Sequence, residues 1–214
     1  DWPVDVVAFA EQLGLSRFNV LGFGSASAYV AACAVRIPHR LWAAGVIAGA
    51  PPISAGSMDL APKNIRQFGA GTRRFGFLLE RALGRMAYGD ATNPSAAADQ
   101  LLASVSGEAD RTALMDVGRR LQVVEARREG FRVGTAGPML DLSLVLRPWR
   151  FSLADVPLVL NLWYGEQDVE TPPAATRLLA SLLPRSETKA YPTEGHYSLY
   201  QRRLDDVLEG LLVT

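Results

Sequence analysis

Few residues in this sequence can do proton or nucleophile chemistry. Among 214 residues there are two histidines, His39 and His196, and one cysteine, Cys33. Only an imidazole has an ordinary pKa close to neutrality, so histidine-based proton transfer is confined to two positions. His39, between Pro38 and Arg40, reads as a surface-loop residue, whereas His196 follows Gly195 just after a strand-like segment, the setting of a site histidine. Asp168 closes the turn Glu166-Gln167-Asp168 and taken alone is turn chemistry. Gly22-Phe23-Gly24-Ser25-Ala26-Ser27 is a run of small residues around one aromatic, as a sharp strand-to-helix turn requires. In such a turn of the G-x-S-x-G kind the central hydroxyl stands above the sheet and the next N–H helps to bind an oxyanion, but here Gly24 holds the hydroxyl's place. The full G-x-G-x-x-G of a dinucleotide turn is absent, because Ser27 and Ala28 follow. Cys33 suits ordinary packing, and no metal-ligand spacing occurs.

These residues sit in alternating strand and helix patterns. Residues 3–14 repeat Val4, Val7, Phe9, Ala10 and Leu13 at near-helical spacing. Residues 17–23 form an uncharged apolar run after Arg17, as expected for a strand buried on both faces. A helix over 29–36 and a second buried strand over 41–48 follow, ended by Pro51-Pro52. Helical patterns then occupy 62–88, 94–104, 107–129 and 135–146 without a convincing strand. Strand character returns at 156–164, with a helix near 172–183, a strand at 187–191 and a helix over 197–212. The pattern predicts an α/β fold with a mostly parallel sheet, its core in residues 1–55 and 147–214 and a helical cap inserted at 56–146. Cap residues such as Phe68, Phe75, Phe77, Met86 and Tyr88 would line a pocket or pack the cap, and the paired arginines at 73–74, 119–120, 127–128 and 202–203 read as solvated helix faces.

Together these segments resemble the α/β-hydrolase superfamily, in particular its bacterial proline iminopeptidase-like branch. The resemblance runs nearly end to end and is carried by Arg17-Phe18-Asn19-Val20-Leu21-Gly22-Phe23, Tyr29, Cys33, Ile37-Pro38-His39-Arg40-Leu41, Arg147-Pro148-Trp149, Tyr164-Gly165-Glu166-Gln167-Asp168 and Glu194-Gly195-His196. It implies the order nucleophile, acid, histidine as Gly24, Asp168, His196. Asp168 would then orient and stabilise the imidazole, His196 would shuttle the proton, the Ser25 backbone N–H would face the oxyanion, and Phe23 would touch substrate. The resemblance also implies about four strands and a helix ahead of the first helix, on the order of 60 residues by mean element lengths. Without them the elbow strand has an open edge, so association with an N-terminal segment or a second chain is expected.

Gly24 admits three accounts: an engineered replacement of a serine, a natural degenerate site that binds a ligand, or a His196–Asp168 base acting on water or directly on substrate, as in a lyase or cyclase. The expected activity is that of the serine-hydrolase lineage on a small ester, amide or related acyl substrate, with no cofactor. With 22 basic against 22 acidic residues the chain lacks the footprint of a nucleic-acid binder. Hydrophobic residues at 49% and charged residues at 21% mark an ordinary globular protein rather than a disordered one. No apolar run is long enough for a membrane span, and a single cysteine needs no oxidising compartment, so a cytoplasmic protein with a small-molecule partner is expected.

Overall fold

The computed structural model describes residues 1–53, 58–61 and 72–212, the backbone alone for 72–75. In chain order its elements are α1 (Trp2–Gln12), β1 (Phe18–Phe23), α2 (Ser27–Arg36), β2 (Leu41–Ile47), α3 (Thr72–Thr92), α4 (Pro94–Ser104), α5 (Glu108–Ala113), α6 (Val117–Gly130), α7 (Ala136–Val145), β3 (Leu160–Gly165), α8 (Pro173–Ser181), β4 (Ser186–Tyr191) and α9 (His196–Leu212). The strands pair in parallel in the order β1-β2-β3-β4.

Apolar runs without polar alternation become central strands because helices cover both faces of a parallel sheet. All six residues of β3 are buried, as is every residue of β2 except Trp42, over which the Arg17 guanidinium lies 3.7 Å from the ring centroid. On one face Ala44, Val46, Leu160 and Leu162 pack with Val30, Ala34 and Leu179 from α2 and α8. On the other, Ala43, Ile47 and Trp163 pack with Leu199, Val207 and Leu211 of α9. β4 (Ser-Glu-Thr-Lys-Ala-Tyr) is polar and largely exposed, as suits an edge strand. Among the described residues no strand pairs with the outer edge of β1.

Several expected boundaries move, each for a local reason. The strand expected over 156–164 begins at Leu160, because Pro157 has no N–H to give a ladder and Ser152 caps a short 3₁₀ turn at Leu153–Asp155. The helix expected over 107–129 breaks at residues 114–116: Asp116 accepts the Arg119 N–H at 2.9 Å as an N-cap, and the Arg120 guanidinium donates to the Leu114 and Met115 carbonyls at 2.7 and 3.0 Å. Arg120 is therefore buried, not solvated. Arg127 likewise donates twice to the buried Asp90, at 2.9 and 2.8 Å, and Arg203 donates to the buried Glu194 at 3.0 Å. Burial would otherwise leave the Asp90 and Glu194 carboxylates without these partners. In α1 only Pro3 and Ala10 are buried, with Val6 and Val7 packed on the core; Val4, Phe9 and Leu13 are exposed. Phe77 and Tyr88 are also exposed, so neither packs the helical segment, while Phe68 and the Phe75 side chain lie outside the described residues.

Candidate active site

The site forms where the C-terminal ends of β1, β3 and β4 converge. Parallel strands end on one side of the sheet, so the loops that follow them share that side. Gly165 of β3 pairs with Tyr191 of β4, which sets the acid loop beside the histidine loop. Backbone bonds then tie the two together, with Glu166 N–H donating to Tyr191 O at 3.0 Å and Gln167 N–H to Glu194 O at 2.9 Å. A Cβ on Gly165 would fall on the Glu194 carbonyl, so the close approach of these loops needs glycine there.

Asp168 and His196 meet in this frame. The imidazole Nδ1 lies 2.8 Å from Asp168 Oδ2, and Asp168 Oδ1 accepts the N–H groups of Glu170 and Thr171 at 2.9 and 2.7 Å. With both loop amides already donating to it, Asp168 is an acceptor, so Nδ1 carries the proton and Nε2 is left as the basic atom. Burial pulls the His196 pKa down, but the hydrogen bond and charge of Asp168, with Asp110 and Glu170 behind it, outweigh burial and raise it above the ordinary value. Phe23 lies against the imidazole with centroids 4.5 Å apart, and Tyr197 meets it edge-on at 5.4 Å.

Gly24 follows β1 directly and is buried, with φ of 59°, in the left-handed region that the strained turn demands. A Cβ built there has one neighbour within 4 Å, His196 Cε1 at 3.8 Å, so the position faces the imidazole and accepts a side chain sterically. Ser25 is exposed at the first turn after the elbow, where helix-start N–H groups have no partner within the helix. Ser27 is turned away and donates its hydroxyl to Ala50 O at 2.8 Å from a buried position. His39 is exposed in the turn Pro38–Arg40, which precedes β2.

Two clefts meet at Phe23. One of about 480 Å³ runs between the elbow and α7 and is lined by Phe23, Ser25, Tyr29, Pro138, Asp141 and Leu142; the Tyr29 hydroxyl donates to Asp141 at 2.6 Å. The other, about 710 Å³, lies between α6 and α9, with Phe23, Arg119, Tyr197, Tyr200, Gln201 and Arg202 on its walls. Among the described residues no group of three or more His, Cys, Asp or Glu side chains is placed to hold a metal, and no helix is long and apolar enough to cross a membrane.

No family model matches the chain, and no curated protein matches it. Solved structures do. An α/β hydrolase, MGS-M2, from a Medee basin deep-sea metagenome library superposes with a TM-score of 0.65 at 17% identity, over 99% of this chain and 70% of its own. A bromoperoxidase from Bacillus anthracis gives 0.64 at 18% identity, over 99% and 71%. The chain has the α/β-hydrolase fold. The enol-lactonase from Burkholderia xenovorans LB400 shares it as well, with a TM-score of 0.58 at 17% identity over 99% and 72%. At such identities the likeness speaks for the fold, and what the α/β-hydrolase fold does in this chain rests on its own residues.

Sequence reading brings Phe23, Gly24, Asp168 and His196 to one place, and the structure places them together. It passes over Asp110, a fully buried carboxylate from α5 that reaches the histidine loop. Nothing local marks Glu108-Ala109-Asp110 as anything but the polar first turn of a helix, since its partner lies 86 residues away.

Proposed function

We propose that this is a hydrolytic site for a small ester, lactone, amide or related acyl substrate, descended from serine hydrolases of the proline iminopeptidase-like kind, with Gly24 at the nucleophile position. One observation carries the reading: an Asp168–His196 pair held at 2.8 Å against a left-handed elbow residue whose Cβ would lie 3.8 Å from the imidazole. Two of the three roles of a Ser-His-Asp site are filled, and the backbone that would present the third is retained. Without the hydroxyl no acyl-enzyme forms at residue 24. The Nε2 base instead takes a proton from water, or from the substrate itself, and the Ser25 N–H is the oxyanion donor this chain supplies.

The unchanged chain tests this. Slow turnover of p-nitrophenyl acetate that His196→Ala abolishes, with no labelling by a fluorophosphonate, is the expected result. Turnover that survives His196→Ala would end the hydrolytic reading. Absence of any turnover, with a ligand still bound beside His196, favours the second reading that Gly24 itself suggests, a ligand-binding protein without acyl chemistry.

A further inference from the structure

Helix α9 begins at the proposed base, yet nothing on its own preceding residue caps it. Its N-terminal flank is Gly195, which has no side-chain oxygen to offer the first-turn N–H groups. Half of a capping arrangement is local: the Gly195 N–H donates to Ser198 Oγ at 2.7 Å. The other half comes from a distant segment. Asp110 Oδ2 accepts the His196 N–H and Oδ1 the Ser198 N–H, each at 2.9 Å, and Asp110 is 0% exposed. A Cβ at residue 195 would sit 2.6 Å from Asp110 Oδ1, so the glycine is what admits the carboxylate. The same segment also meets the acid loop, since a Cβ on Gly107 would lie 3.3 Å from Val169 Cγ2 and 3.7 Å from Gln167 O.

We propose that Asp110 is a positioning residue for His196: it supplies from α5 the cap that Gly195 lacks, so that seating the helical segment on the sheet and aiming the imidazole at Asp168 are one event. Burial raises the Asp110 pKa, with the Ser198 and His196 N–H groups pulling the other way. The imidazole is faced by Asp168 and Glu170 from the acid loop, Asp110 from α5, and Phe23 and Tyr197. Removing the Asp110 charge from that set leaves the imidazolium less stabilised.

The test is NMR on the full chain carrying His39→Gln, which leaves a single histidine, with and without Asp110→Asn. The variant is expected to lower the His196 pKa by about half a unit or more, to weaken the downfield Nδ1 proton signal, and to speed amide exchange at His196 and Ser198 about tenfold. A folded variant that melts lower but keeps the parent's imidazole pKa and Nδ1 signal overturns the proposal, leaving Asp110 a structural cap. Should the variant fail to fold, the parent decides: a His196 imidazole signal that shifts, together with the His196 and Ser198 amides, as the Asp110 carboxyl titrates supports the proposal, and amides that respond while the imidazole does not, or that ignore the carboxyl, overturn it. A kinetic arm rests on the hydrolytic reading. In a Gly24→Ser background Asp110→Asn is expected to lower kcat with little change in KM. If Gly24→Ser is itself inactive, the functional reading fails while the NMR result still judges Asp110.

Discussion

Restoring the hydroxyl by Gly24→Ser is the sharpest perturbation the site allows. The Cβ has room, because its single close neighbour, His196 Cε1 at 3.8 Å, is at ordinary van der Waals distance. A hydroxyl one bond farther out comes within reach of Nε2, the ring atom next to Cε1. The backbone resists instead: at φ of 59° a non-glycine residue costs about 1–2 kcal/mol, partly offset by the narrower unfolded ensemble. For a chain of this size, a net loss of about 1 kcal/mol lowers Tm by about 2–4 °C. The catalytic gain is larger. Losing a triad serine costs about 10⁶ in kcat, and lacking one oxyanion donor costs about 10²–10³. If Ser25 N–H acts alone, the variant should still gain about 10³-fold or more in p-nitrophenyl ester hydrolysis over the parent. His196→Ala in the Gly24→Ser background should erase that gain, and a fluorophosphonate should now label residue 24. A folded Gly24→Ser protein, melting as predicted but neither labelled nor faster, refutes the inference that the elbow presents its side chain to the base.

Three further outcomes are expected, two from the imidazole and one from the sheet edge. The raised His196 pKa means the basic form appears late: the acid limb of kcat/KM for Gly24→Ser, where activity rises as His196 loses its proton, should have its midpoint above about pH 6.5, the ordinary imidazole value, and a midpoint at or below it would contradict the pairing with Asp168. Stability runs oppositely. A raised folded-state pKa contributes stability that is fully present below about pH 6.5 and lost as pH rises through the folded value, so thermal melts should fall over that window in the parent and stay flatter in His196→Ala. The outer edge of β1, unpaired among the described residues, is proposed to take a strand from a further segment or a second chain. The chain by itself should then self-associate in light scattering, and a monodisperse folded monomer would refute this.

Much of the architecture was legible because the physics is local. Uncharged apolar runs such as Val20-Leu21-Gly22-Phe23 and Leu160-Asn161-Leu162-Trp163 between turn residues suit central strands, and the small residues from Gly24 to Ala28 suit a tight turn into a helix. The candidate pair was legible too, since a chain with two histidines leaves little choice. Where reading failed, the deciding partner was far along the chain. Charge alone makes Arg120 and Arg127 look solvated, but the carbonyls at 114 and 115 and the carboxylate of Asp90 claim them. Val4, Phe9 and Leu13 keep helical spacing, yet spacing does not say which face of α1 meets the sheet.

The sequence by itself determined that strands and helices alternate, that a sharp glycine turn follows the first strand, and that His196 and Asp168 each follow a strand. Those are properties of short windows, set by side-chain size, charge and backbone freedom. Only the tertiary structure decided that Asp168 faces His196 at 2.8 Å, that the imidazole stands beside Gly24, and that Asp110 caps the helix on which the base is carried. Strand register fixes the first of these, the shared end of a parallel sheet the second, and the packing of α5 on α9 the third, and none is encoded within a single window.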